Sequence, residues 1–162
     1  LILSTADQNG RCDASPKGDA PGFVQILNDR TLLIPDRPGN KLAYGHQNIL
    51  SNPQVGLLFM LPGTSETLRV NGSAKLDTSP TVLENLSARG KPAVLAIQVE
   101  VQECFFHCAK AFIRSGLWQH STWPEKPHRV SFGNIFAERR NLSAEDARDI
   151  DLNIQKDYES NL

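Results

Sequence analysis

Residues Gln54–Leu76, "QVGLLFMLPGTSETLRVNGSAKL", decide how the chain folds. Two β-like runs, "QVGLLFML" and "ETLRVNGSAKL", flank the turn formers "PGTS", and such runs read as neighbouring strands paired across a short loop. The most apolar part, "VGLLFML", is far short of the roughly 20 residues that cross a bilayer. It is a strand of a folded core, and no stretch of the chain is expected to cross a membrane.

Working toward the N-terminus, the same device recurs. "FVQIL", the turn "NDR" and "TLLIP" form a second hairpin pattern, and "LILST", "ADQNG" and "RCDAS" a third, with Asn9 and Gly10 placed to take the positive φ of a tight turn. Between these hairpins and the central pair, "NKLAYGHQNILS" predicts a short helix capped by Asn40, with Leu42, His46, Ile49 and Leu50 at helical spacing. Toward the C-terminus, "SPTVLENLSARG" predicts a crossover helix with Ser79 as cap, Pro80 in the first turn and Gly90 closing it. "AVLAIQVEVQECFF" then reads as a long strand and "AKAFIRSGLW" as the start of a helix. Gln119 to Arg129, with two prolines, reads as a loop. The tail carries the capping box Ser143-x-x-Asp146 ahead of a surface helix with Ile150 and Leu152 on a sparse apolar face. Many short antiparallel strands with helices only at crossovers favour a mainly β protein, a barrel in preference to a sandwich.

With 162 residues, 40% hydrophobic and 22% charged, the chain fits one globular domain, a barrel over about 1–118 followed by a loop and helix over 119–162. It has no initiator Met and opens in mid-strand, which predicts a missing N-terminal segment. A net charge of -1, with cations scattered among acids, argues against a nucleic-acid partner. Three irregularly spaced cysteines make no disulfide framework and point to a reducing, cytoplasmic setting. Cys104, His107 and Cys108 do not make a metal site, because strand alternation separates Cys104 from His107 and no fourth ligand is near. Neither G-x-S-x-G nor G-x-G-x-x-G occurs.

Three segments carry chemistry. "LIPDRPGNKL" at Leu33–Leu42 offers Arg37 and Lys41, a rigid turn at Pro38, close backbone approach at Gly39 and a helix start at Asn40, which is the equipment of a phosphate site or of a plain capped turn. "CDASPK" places Asp13, Ser15 and Lys17 on one face of a strand, either a solvated surface or a binding wall. "ETLRVNG" places Thr67, Arg69 and Asn71 together, donors suited to a planar heterocycle with carbonyl edges. On the last helical turn Lys110, Arg114 and Trp118 form a cationic and aromatic edge.

These segments, with "SPKGD", "PDRPGN" and "HCAKA" the most specific, resemble the pyridoxamine 5′-phosphate oxidase-like, FMN-binding split-barrel proteins over about positions 1–118. The resemblance implies a six-stranded antiparallel Greek-key split β-barrel with a few flanking helices. It implies a homodimer, with FMN at the subunit interface and oxidoreductase action on a small-molecule substrate. Asp13, Ser15, Pro16 and Lys17 would run along the flavin; Pro35, Asp36 and Arg37 would follow the ribityl chain. Asn40 and Lys41 would take the phosphate, Thr67 and Arg69 would face the ring, and Lys110, Arg114 and Trp118 would line the substrate side, the cations coming from the other subunit. No catalytic acid or base is assigned. Two departures matter: Gly39-Asn40-Lys41 stands where the oxidases have a Ser-Arg-Lys run, and their C-terminal substrate motif is missing, so a vitamin B6 substrate does not carry over. The alternative is a non-catalytic module holding flavin, deazaflavin or haem, with His46, His107 and His120 relevant only to haem.

Overall fold

A computed structural model describes residues 1–39 and 42–160. It divides into two compact units, Leu1–Gln119 and the residues from His120 onward.

The first unit is built on one antiparallel sheet. Its strands are β1 (Ile2–Ala6), β2 (Cys12–Pro16), β3 (Gln25–Asn28), β4 (Thr31–Asp36), β5 (Gln54–Phe59), β6 (Thr67–Asp77) and β7 (Leu95–His107). The spatial order β2-β1-β5-β6-β7-β4-β3 sets β4 beside β7 outside the β5–β6–β7 meander, a Greek-key arrangement. The six-stranded expectation is corrected to seven, because each β-like run folds as a strand, the short edge strand β3 included. Among the described residues no ladder joins β2 to β3, so the sheet is open.

On the core side of the curled sheet Leu3, Ile34, Val55, Leu57, Val70, Ala74, Ile97 and Val99 pack as one cluster with Ile49. Ile49 comes from α1 (Tyr44–Ser51), which begins at Ala43. The expected cap Asn40 lies outside the described residues. Of the four apolar-face residues expected there, only Ile49 is buried, while Leu42 and Leu50 are exposed. β3 pairs with β4 only as far as Leu33, which leaves Pro35 on a stretch with one open side, where a residue lacking an N–H is tolerated.

β6 and β7 slip register at Asn71 and Gly72. A Cβ on Gly72 would lie 2.1 Å from the Glu100 carbonyl oxygen, so the two backbones approach closely there. In the first hairpin the Asp7 carboxylate accepts the Asn9 and Arg11 N–H groups, and Gly10 alone takes positive φ, at 78°; Asn9 does not. The crossover helix α2 (Pro80–Asn85) has Pro80 in its first turn but gets no side-chain bond from Ser79, whose own N–H goes to Asp77. Gly90 lies past its end in the turn bridging Ala88 and Lys91. α3 (Lys110–Ser115) is closed by Gly116 at φ 62°.

The second unit pairs α4 (Phe132–Arg140) with α5 (Ala144–Ser160). The capping box forms as expected: Ser143 and Asp146 exchange hydrogen bonds at 3.0 and 3.1 Å. Asp151 on α5 holds the start of α4, accepting from Ser131 Oγ and the Gly133 N–H. The hydroxyls of Ser79, Ser143 and Ser131 hold Asp77, Asp146 and Asp151 below the usual carboxylate range, with backbone N–H groups adding to each. A lowered folded-state pKa favours the ionised carboxylate in the fold. The stability it contributes is complete above the ordinary carboxylate pKa of about 3.9 and is lost as pH falls through the lowered value. Urea midpoints measured from pH 7 to pH 3 should therefore drop on the acid side, and Asp151→Asn should flatten that drop; an unchanged acid slope would contradict the assignment.

Candidate functional site

At the C-terminal end of β4 the chain turns through Arg37, Pro38 and Gly39 and, past the undescribed pair, enters α1. This turn, the residues following β2 and the start of β7 enclose a cavity of about 450 Å³, within the range of about 300–1,000 Å³ usual for small-molecule sites. Pro16, Lys17, Gly18, Asp36, Arg37 and His46 supply much of its wall. Ala43 and His46 bring the start of α1 to the cavity wall, and the first turn carries no acidic residue.

Lys17 Nζ donates to Asp36 Oδ1 at 2.5 Å, and His46 Nε2 stands 3.4 Å from Asp36 Oδ2. Arg37 Nε donates to Asp19 Oδ2 at 2.6 Å and Nη2 to the Leu86 carbonyl at 2.7 Å. Nη1 is buried and has no hydrogen-bond partner among the described residues. Arg37 thus ties the loop after β2 to the end of α2 and keeps Nη1 to spare among the described residues. The Ala20 N–H, and after it Arg37, hold Asp19 below the usual carboxylate range. Asp19 was not singled out from the sequence, and its pairing spans 18 residues, so no local pattern signals it.

The structure brings together Pro16, Lys17, Pro35, Asp36 and Arg37. Asn40 and Lys41 lie outside the described residues. Asp13 and Ser15 are half-buried while Cys12, Ala14 and Pro16 are exposed, so the polar face of β2 is the inward one. Ser15 Oγ donates to Asp13 at 2.8 Å, and both lie against Gly45 of α1, away from the cavity wall. Thr67 is buried and Arg69 exposed on β6. Arg69 belongs to a cross-strand row, Pro16, Ile2, Leu58, Arg69 and Phe105, whose side chains share the outer face. Three ladder steps of about 4.8 Å put Arg69 about 14 Å from Pro16 across this face. Lys110, Arg114 and Trp118 follow the far end of β7, about 40 Å of strand from its pocket end at Leu95. Lys110 and Arg114 are exposed, whereas Trp118 donates Nε1–H to the Thr64 carbonyl at 2.8 Å and stacks on Phe112.

His46 is the wall residue that sequence reasoning undervalued: it sits one turn into α1, and only the fold brings it to Asp36. Among the described residues no three His, Cys, Asp or Glu side chains converge as a metal site, and no helix is long and apolar enough to cross a membrane.

The first unit is thus an open antiparallel split barrel with a mixed-charge pocket where β4 meets α1. Residues 1–108 match the family described as Pyridoxamine 5′-phosphate oxidase, and the chain belongs to that family. No curated protein matches it. Among solved structures, HupZ of Group A Streptococcus superposes with a TM-score of 0.52 at 17% identity over 65% of this chain and 82% of that one. A single-residue variant of HupZ gives a TM-score of 0.53 at 17% identity over 65% of this chain and 87% of the other. An FMN-binding protein of Syntrophomonas wolfei gives a TM-score of 0.50 at 12% identity over 66% and 76% of the two chains. At these identities the likeness speaks for the fold alone.

Proposed function

We propose that this chain binds FMN and works as an FMN-dependent oxidoreductase on a small molecule, as a homodimer. The observation that carries the proposal is the cavity beside Lys17, Arg37 and the start of α1. The residues on its wall suit a phosphate monoester: the Lys17 ammonium, the buried Arg37 Nη1 without a hydrogen-bond partner among the described residues, and the start of α1 all border the cavity. Family membership supports a flavin as the group carrying that phosphate.

From the pocket, the outer-face row from Pro16 to Arg69 offers a surface about 14 Å long on which a planar ring would lie. FMN would bring the two-electron redox chemistry; the chain's part is to hold the phosphate, present Arg69 to the ring edge and exclude water. A second copy would provide the cover. β4 pairs with β7 only as far as Glu100, the Val101 N–H going on to the Arg30 carbonyl; beyond that no described strand lies along this edge of β7, where Phe105 and Phe106 are 40% and 79% exposed. Lys110 and Arg114 of that second copy would then reach the substrate side.

The test loads the purified protein with FMN, adds NADH or NADPH without oxygen, and follows loss of the oxidised flavin absorbance, with sedimentation velocity run on the same sample. Reduction, reoxidation by a small-molecule acceptor and a dimer mass support the proposal. FMN that binds but is never reduced would leave a binding module, and protein that ignores FMN would overturn the cofactor assignment.

A further inference from the structure

His46 lines the pocket, yet nothing so far gives it a task. Its Nε2 is buried, has no hydrogen-bond partner among the described residues and faces Asp36 Oδ2 at 3.4 Å. The other Asp36 oxygen is taken by Lys17 at 2.5 Å. The Lys17, Asp36 and His46 side chains are only 16%, 19% and 20% exposed. One carboxylate therefore stands between two bases, and the Lys17 ammonium on the pocket wall is already neutralised.

The charges make this a problem for any phosphate ligand. Among the described residues Lys17 cancels Asp36 and Arg37 cancels Asp19, while a phosphate monoester brings about -1.5 to -2 at neutral pH. If Lys17 turned to the ligand with nothing replacing it, Asp36 would be a poorly hydrated carboxylate without a partner beside an incoming anion, which is unfavourable on both counts. The side chain within reach of Asp36 whose type changes charge in the neutral range is His46.

We propose that His46 is a positioning residue of the anion site: when an anion binds, His46 takes up a proton from solvent, its imidazolium takes over Asp36, and Lys17 Nζ is released to the ligand. No covalent bond changes, and up to one proton enters per anion bound. The inference rests on reading the pocket as a phosphate site. Among the described residues the other charged groups facing this corner are committed elsewhere: Asp13, against Gly45 on α1, accepts from Ser15, and Arg37 is held by Asp19 and the Leu86 carbonyl.

The experiment is isothermal titration calorimetry of FMN and, separately, of sulfate, each in buffers of different protonation enthalpy between pH 6 and 8.5. Sulfate stays a dianion throughout, so its pH dependence belongs to the protein. Wild type should take up a proton with either probe, and sulfate affinity should fall with rising pH by up to about tenfold per unit, the limit for one linked proton. His46→Gln, or His46→Asn if the former folds poorly, should bind with no such uptake, and so should Lys17→Met, which has no ammonium to release. Uptake that persists in the folded His46 variant, or sulfate affinity independent of pH in wild type, overturns the proposal. If FMN binds no better than riboflavin while sulfate still binds with His46-dependent uptake, the flavin reading falls and the role of His46 stands.

Discussion

Lys17→Ala weakens FMN binding by about 10- to 150-fold and leaves riboflavin binding nearly unchanged. The magnitude follows from one charge-assisted hydrogen bond, about 1.5–3 kcal/mol, at 1.4 kcal/mol per factor of ten. The selectivity follows because riboflavin has no phosphate for Lys17 to meet. Removing Lys17 also leaves Asp36 to His46 alone, so the corner keeps its carboxylate beside the phosphate with one cation fewer. The double variant Lys17→Ala with Asp36→Asn should therefore recover part of the loss, since the amide carries no charge. Equilibrium fluorescence titration of the four proteins with both ligands measures all of this. A Lys17→Ala loss shared equally by riboflavin would mean that the substitution damages the fold or the ring site, and that Lys17 does not hold the phosphate.

Gly72→Ala destabilises the first unit by about 3 kcal/mol, at or beyond the upper end of the usual 1–3 kcal/mol for overpacking. The added methyl would sit 2.1 Å from the Glu100 oxygen and 3.1 Å from its carbonyl carbon. Both are backbone atoms fixed in the β6–β7 ladder, so no side chain can rotate away. For a protein of this size the melting temperature should fall by about 6–12 °C. Gly56→Ala on neighbouring β5 is the control: its nearest contacts would be the Asn71 side chain at 3.6 Å and the Ser4 Cβ at 3.9 Å, ordinary separations that predict a small effect. A Gly72→Ala protein as stable as wild type would mean that the bulge does not bring the strands so close.

The strands were legible because the runs are β-like and most are short and bounded by turn formers, a signal carried within a few residues. The family resemblance suggested six strands and the chain folds seven. The bulge was harder, since an isolated Gly in a strand is its only local mark. α4 went unassigned although Phe132, Ile135 and Phe136 have helical spacing. Gly133 and the nearby prolines blurred the pattern, and the carboxylate that fixes its start, Asp151, comes from another helix. At the pocket, Lys17, Asp36 and Arg37 stood out as residue types in a turn-rich context, but their partners did not. Asp19 with Arg37 and His46 with Asp36 are tertiary meetings without a periodic signature. The inward orientation of Asp13 and Ser15 likewise depends on α1 lying against that side of the sheet.

The most direct test of the central claim, that the pocket beside Lys17 and Arg37 holds the phosphate of FMN, is the ratio of FMN to riboflavin affinity for the wild-type protein, measured by fluorescence quenching under identical conditions. Two or more charge-assisted contacts to the phosphate predict FMN binding tighter by at least about 100-fold. Equal affinity for the two would contradict the claim.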